Sequence, residues 1–98
     1  MDFILEYSDT AARHLMSLKA DSSRNRIFKD VVKALQYMQI NLRHPSLNTH
    51  EYYTLKGPGG EKVFESYAQQ KTPGAYRIFW HYGPGKNIIS ILAIIPHP

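Results

Sequence analysis

The hydrophobic pattern of the last quarter of the chain predicts two β-strands joined by a tight turn. Residues 75–82 and 88–95 are β-branched or aromatic almost throughout, and Gly83-Pro84-Gly85-Lys86 between them has the residues that turns require. The second run has almost no polar side. Such a run is typical of a strand covered on both faces, so we expect it in the interior of the sheet.

Side chains alternate across the first of these two strands. One face is strongly aromatic and should pack on the core: Tyr76, Ile78, Trp80 and Tyr82. The opposite face carries a smaller and more polar set: Ala75, Arg77, Phe79 and His81. We therefore expect the face with the arginine and the histidine to be the more open one.

The N-terminal half of the chain predicts a strand followed by two helices. Residues 3–7 form the strand, and Ser8 or Asp9 is a suitable helix N-cap because its side-chain oxygen can accept a backbone N–H. The first helix ends near residue 21, and residues 22–23 offer a second N-cap. The second helix has an apolar stripe at helical spacing: Ile27, Val31, Leu35, Met38 and Leu42. It should end at His44-Pro45, since proline disfavours helix in the residue before it.

The segment between the helices and the final strands is more polar. Residues 57–60 form a Gly-rich turn, and residues 52–55 fit a short edge strand. Residues 62–68 predict a further strand, with Val63, Glu65 and Tyr67 on one face. Residues 69–74 form the loop back to the strand of Arg77.

These elements predict an α+β fold in one domain that spans residues 1–98. The order is an N-terminal strand, an antiparallel helical hairpin and a three-stranded antiparallel meander, with the helices on one face of the sheet. The other face should be partly open and carry four polar or charged side chains: Glu65, Tyr67, Arg77 and His81.

The composition of the chain limits the classes of function that it can have. A chain of 98 residues supports one modest core, and the absence of cysteine excludes disulfides and thiolate chemistry. The first residues lack the basic and apolar regions of a signal peptide, so we expect a cytoplasmic protein. A net charge of +4 permits an acidic partner such as nucleic acid.

Several short motifs resemble those of a known family in their order and spacing. They are Ser8-Asp9-Thr10-Ala11, His44-Pro45-Ser46-Leu47, Leu55-Lys56-Gly57, Val63-Phe64-Glu65, Tyr76-Arg77-Ile78 and Ile94-Ile95-Pro96-His97. With them the sequence resembles the RelE/ParE superfamily of small bacterial toxins from type II toxin–antitoxin modules. The resemblance implies an α+β fold of the microbial ribonuclease type and a cognate antitoxin protein that wraps the toxin.

The resemblance implies two possible targets. RelE-like members cut mRNA in the ribosomal A site, whereas ParE-like members inhibit DNA gyrase and are not nucleases. We expect the first activity, a metal-independent and ribosome-dependent mRNA endonuclease that uses no cofactor. The gyrase inhibitor is the alternative.

RNA cleavage without a metal requires a base for the ribose 2′-OH, a cation for the phosphate and an acid for the departing 5′-oxygen. By resemblance, Arg77 is the phosphate contact and His97 the general acid, as in the YoeB-like branch. Glu65 is the available base. The structural alternatives are an ion pair between Arg77 and Glu65, and an exposed His97 in a frayed tail.

Further side chains are candidates for RNA binding. Four lysines lie in or beside loops at the edges of the open face: Lys56, Lys62, Lys71 and Lys86. His81 and Tyr67 on that face complete the set. If these do not bind RNA, the basic helix face of Arg26, Lys29 and Lys33 is the next candidate. No histidine pair has the spacing of helical zinc ligands, so we predict no metal.

The chain also departs from the family pattern. Val63 and Glu65 occupy strand positions that carry lysines in RelE, and Pro98 follows His97 where YoeB has a tyrosine. A catalytically inactive relative that acts only by protein–protein contact is therefore a third interpretation.

Overall fold

Two helices and a five-stranded sheet form the fold in the computed structural model, which describes residues 2–97. In chain order the elements are β1 (Ile4–Tyr7), α1 (Asp9–Ala20), α2 (Asn25–Ile40), β2 (His50–Lys56), β3 (Lys62–Tyr67), β4 (Tyr76–Tyr82) and β5 (Ile88–Pro96). Short 3-10 turns, Ser22–Arg24 and Pro45–Leu47, precede α2 and β2. The position compared above with the YoeB tyrosine, Pro98, lies outside the described residues.

The sheet has the order β1-β5-β4-β3-β2. Strands β2 to β5 form an antiparallel meander, and β1 pairs with β5 in parallel, with Ile4 opposite Ile88. This confirms the predicted fold class and the interior position of the C-terminal strand. The segment expected to form a short edge strand is longer than predicted, because β2 begins at His50.

The helices differ from their predicted bounds at two places. Ser8 caps α1 by accepting a hydrogen bond from Ala11 N at 3.0 Å. At the next boundary the capping carboxylate is Asp21, which accepts from Ser23 N at 3.0 Å, so the prediction of a cap at residues 22–23 was wrong. Helix α2 ends at Ile40, before the expected proline boundary. The reason is Asn41, which has a φ of −155° and begins a turn by accepting from Arg43 N.

A one-residue bulge in β5 brings two of its isoleucines to the core side of the sheet. Phe79 lies opposite Ala93 but Trp80 lies opposite Ile91, so Leu92 is an extra residue in β5. The extra residue allows Ile91 and Ile94, three positions apart, to face the helices together, and both are buried. Ser8 Oγ donates to Leu92 O at 3.0 Å, which ties the start of α1 to this point.

Trp80 is central to that core, as its strand pattern predicted. It is fully buried, and its ring stacks on Phe64 with centroids 4.9 Å apart. The indole N–H donates to Ser66 Oγ at 2.9 Å, which satisfies the polar atom of a buried tryptophan. Ser66 Oγ in turn shares a 2.7 Å hydrogen bond with Thr49 Oγ1.

The second face of the sheet, which was expected to be partly open, is more covered than predicted. It carries the predicted residues, and Tyr67 is partly exposed, but Glu65, Arg77, Phe79 and His81 are buried. Part of the cover comes from neighbouring strands: Tyr52 of β2 packs edge-on against Phe79 with ring centroids 4.9 Å apart, and His50 and His97 contact Glu65. Single-strand alternation does not reveal such cover, because it comes from a neighbouring strand.

No helix within residues 2–97 is long and apolar enough to cross a membrane.

Candidate functional site

The carboxylate of Glu65 is the centre of a polar cluster on the second face of the sheet. Its side chain is 2% exposed. His50 Nε2 lies 2.8 Å from Oε1, and His97 Nδ1 lies 3.0 Å from Oε2. Arg77 Nε lies 3.6 Å from the same Oε2. Two half-exposed imidazoles therefore share one buried carboxylate beside a guanidinium, since the side chains of His50 and His97 are 45% and 50% exposed.

Strand register places these groups together. Glu65 lies opposite His50 on β2, and Tyr67 lies opposite Arg77 on β4. His97 follows β5 and continues its pairing with β4, because its backbone N–H donates to Ala75 O at 2.8 Å. The backbone of His97 is therefore held at the sheet.

Arg77 is fixed on several sides. Its guanidinium carbon lies 3.5 Å from the centre of the Tyr67 ring, and Nη1 donates to the backbone oxygens of Gln69 and Tyr76. Its Nε is buried without a hydrogen bond in residues 2–97, because 3.6 Å to Glu65 is too long for one. The arrangement is an ion pair that leaves a guanidinium N–H unsatisfied.

The hydrogen bonds restrict where protons lie. His50 Nδ1 is 2.9 Å from the carbonyl oxygen of Asn48, which only accepts, so Nδ1 carries a hydrogen. The short contact between His50 Nε2 and Glu65 then requires a second proton, either on His50 or on Glu65. His97 differs, because only its Nδ1 contacts the carboxylate, and its Nε2, across the ring, points away from Glu65.

Comparisons of the sequence with protein-family profiles and with curated proteins give no match. Solved structures do match over nearly the whole length. An archaeal RelE–RelB complex from Pyrococcus horikoshii has a TM-score of 0.65 at 13% identity and covers 98% of this chain and 96% of its own. A YoeB/ParE toxin from Agrobacterium tumefaciens has a TM-score of 0.68 at 7% identity, with coverages of 96% and 98%. The YoeB dimer from Staphylococcus aureus has a TM-score of 0.63 at 13% identity and covers all of both chains.

The chain therefore shares the fold of these RelE and YoeB/ParE structures. Within this RelE/ParE fold, the structure brings together four of the residues that the sequence singled out: Glu65, Tyr67, Arg77 and His97. It does not bring all of the predicted RNA-binding residues to them.

The remaining predicted residues lie elsewhere on the RelE/ParE fold. Lys56 and Lys62 face each other across the β2–β3 hairpin, and Lys86 lies in the turn before β5; all three are exposed. Lys71 is exposed in the β3–β4 loop. His81 is 3% exposed, and its Nδ1 lies 2.9 Å from Tyr82 O, so contact with RNA would require its cover to move.

One member of the cluster, His50, was not among the predicted site residues. Asn48 has a left-handed backbone with φ of 44°, which asparagine tolerates, and turns the chain into β2 just before His50. The sequence signal that could have found it is the strand alternation that places His50, Tyr52 and Thr54 on one face of β2. Extending the predicted edge strand by two residues places His50 beside Glu65. The described residues contain no group of three or more His, Asp or Glu side chains arranged to hold a metal ion.

Proposed function

We propose that this chain is the toxin of a type II toxin–antitoxin module and cleaves mRNA on the ribosome without a metal. The observation that carries the proposal is the pair of half-exposed histidines on the two oxygens of one buried carboxylate, next to an arginine. Metal-independent RNA cleavage needs a base, an acid and a cation, and this cluster contains candidates for all three.

Glu65 positions the two histidines. Both of its oxygens are occupied by imidazole nitrogens and its side chain is 2% exposed, so the ribose meets a histidine before it meets the carboxylate. A buried carboxylate that accepts from an imidazole fixes the tautomer and orientation of the ring and stabilises its protonated form. This role replaces the direct proton abstraction by Glu65 that the sequence indicated.

The two histidines divide the proton transfers. His97 presents Nε2 with its other nitrogen held by Glu65, which suits a base that removes the 2′-OH proton. His50 is the acid in this division: doubly protonated, it must transfer to the 5′-oxygen the Nε2 proton that faces Glu65, so that contact has to open when RNA binds. The resemblance implies the general-acid role for His97; its Nε2, which does not face Glu65, supports the role of base instead.

Arg77 supplies the cation. Stacking on Tyr67 and two backbone contacts hold its guanidinium in place without rearrangement. Its side chain is 7% exposed, so this fixed charge acts on the phosphate through space and not by direct contact as negative charge develops in the transition state. Its buried Nε gives it a further hydrogen-bond donor if the cluster tightens on substrate.

A protein partner is part of the proposal. One of the similar structures is a RelE–RelB complex, and we propose that this chain likewise has a cognate antitoxin and acts in the cytoplasm. The chain's net charge of +4 is compatible with both an acidic antitoxin and RNA.

The function is tested by inducing expression in bacteria and mapping mRNA ends. We expect growth and translation to stop, with cuts within reading frames. If growth stops while mRNA stays intact and DNA supercoiling changes, the chain is a ParE-like gyrase inhibitor. If growth is unaffected and mRNA stays intact, the toxin proposal is wrong.

A further inference from the structure

A groove lies between α2 and the β3–β4 loop, directly beside the histidine cluster. Its volume is about 470 Å³, which is in the range of small-ligand sites. Tyr67, the ring on which Arg77 lies, forms one wall. Gln69 lines the groove as well, and its backbone oxygen accepts from Arg77. The groove therefore begins where the cluster ends.

The groove has an excess of positive charge. Its one carboxylate, Asp30, is engaged by Arg26 Nε at 3.2 Å and by Gln69 Nε2 at 3.1 Å. Arg26 balances that carboxylate, so Lys33 from α2 and Lys71 from the loop add two unbalanced charges. The fold thus joins the basic helix face and one of the loop lysines, which the sequence treated as separate candidates.

An aromatic side chain lies beside these lysines. Tyr37 lines the groove, and its ring is stacked on His44 with centroids 3.8 Å apart and planes within 9°. Lys33 Nζ lies 5.8 Å from the centre of the same ring. Cationic side chains next to an aromatic ring are the combination with which proteins hold single-stranded nucleic acid.

We propose that this groove binds the nucleotide next to the cleaved phosphodiester, with its phosphate near Lys33 and Lys71 and its base against Tyr37. The proposal rests on the proposed function for one element only, the position of the cleaved phosphate at the histidine cluster. The groove gives the enzyme contact with RNA beyond the reacting atoms, so the strand is held while the histidines act.

The test is the binding of a fluorescent 2′-O-methyl RNA oligonucleotide, which cannot be cleaved, over a series of salt concentrations. The variant is Lys33→Gln with Lys71→Gln. The matched control is Arg13→Gln with Lys19→Gln, which removes two charges from exposed positions on α1. Each lost phosphate contact should flatten the slope of log K against log salt by about 0.7 for a single strand. We expect a change of about 0.7 in the groove variant, because both lysines act on one phosphate, and a smaller loss of slope in the control.

Equal slopes for the groove variant and the control would overturn the proposal. So would control-like RNA binding combined with a changed oligomeric state in sedimentation, because the groove would then be an interface between copies of this chain. Since the probe cannot be cleaved, the result is separate from activity. If the wild-type chain cuts no RNA but binds the probe through these lysines, the groove assignment is supported and the proposed nuclease activity is wrong.

Discussion

Glu65 Oε1 lies 2.8 Å from His50 Nε2, a contact made between the edge strand of the sheet and a buried carboxylate. His50 therefore holds its ring in a fixed orientation although it lies at the protein surface. The same carboxylate holds His97 through its other oxygen, so a change in Glu65 should affect both imidazoles at once.

The division of roles between the histidines predicts different responses to a better leaving group. His50→Ala and His97→Ala should each slow cleavage by roughly 10²–10⁴-fold. A substrate with sulfur in place of the departing 5′-oxygen does not need an acid. We expect it to restore cleavage by His50→Ala and to leave His97→Ala slow. Restoration of His97→Ala alone would reverse the two roles.

Arg77 and Glu65 should be coupled in stability as well as in activity. Arg77→Met removes one cation from a buried carboxylate that keeps its contacts with His50 and His97, so we expect a loss smaller than the roughly 3–5 kcal/mol typical of a broken buried pair. Combining it with Glu65→Gln should recover part of that loss, because no unpaired charge is left. Urea unfolding of the two single variants and the double variant measures the coupling. Additive losses would show that the pair, at 3.6 Å, is too loose to matter for stability.

The hairpin lysines offer a separate test of RNA binding. Lys56 and Lys62 lie opposite each other on β2 and β3, and like charges in that position are destabilising. Replacing Lys62 by Gln should therefore raise stability slightly, by about 0.2–1 kcal/mol. If this end of the sheet also contacts RNA, the same variant should flatten the salt slope by about 0.7. A stabilised variant with an unchanged slope would remove this pair from the RNA-binding surface.

The cap of α1 should matter for stability alone. Ser8 accepts from Ala11 N and donates to Leu92 O, both at 3.0 Å. Ser8→Ala removes the cap and leaves the carbonyl of the β5 irregularity without that donor, so we expect a loss of about 1–2 kcal/mol. Ser22→Ala, in the exposed 3-10 turn, is the control and should change little. Equal effects in thermal unfolding would contradict the role given to Ser8.

The carboxylate of Asp21 should make the stability of the fold depend on pH. Hydrogen bonds from the Ser23 hydroxyl, Arg24 and the Ser23 backbone hold the pKa of Asp21 below its usual value. A lowered folded pKa contributes stability above the unfolded pKa of about 4, and that contribution is lost as pH falls through the folded value. The difference in Tm between wild type and Asp21→Asn should therefore be largest near neutral pH and shrink in acid. A difference in Tm that does not change with pH would contradict this contribution of Asp21 to stability.

Sequence patterns predicted the order of elements because each depends on local periodicity. The aromatic face of β4, centred on Trp80, does pack on the helices, and Arg77 does lie on the opposite face. The cover over that opposite face was missed, because it comes from side chains of other strands, Tyr52 against Phe79 and His50 and His97 against Glu65. The cap at Asp21 was missed because serine and aspartate are equally good N-caps and only the backbone path selects one.

The candidate site was predictable in part for a related reason. Arg77, His97 and Glu65 lie apart in the sequence. Resemblance to family positions brought Arg77 and His97 forward, whereas Glu65 was proposed as the available base although it departs from the family pattern. His50 has no such resemblance, and its role follows only from the β2–β3 register. Two residues of error in a strand boundary were enough to leave it in a loop.

The most direct test is cleavage by the purified protein of mRNA bound to ribosomes, with analysis of the new ends. Attack by the 2′-OH leaves a cyclic phosphate at the 3′ end. We expect this product from wild type and a loss of roughly 10²-fold or more in rate for a folded Glu65→Gln variant, because both histidines lose their shared carboxylate. The site proposed for this chain would be contradicted if Glu65→Gln cleaved at the wild-type rate. Cleavage that continues when the 2′-OH at the cut site is replaced by hydrogen would contradict it as well.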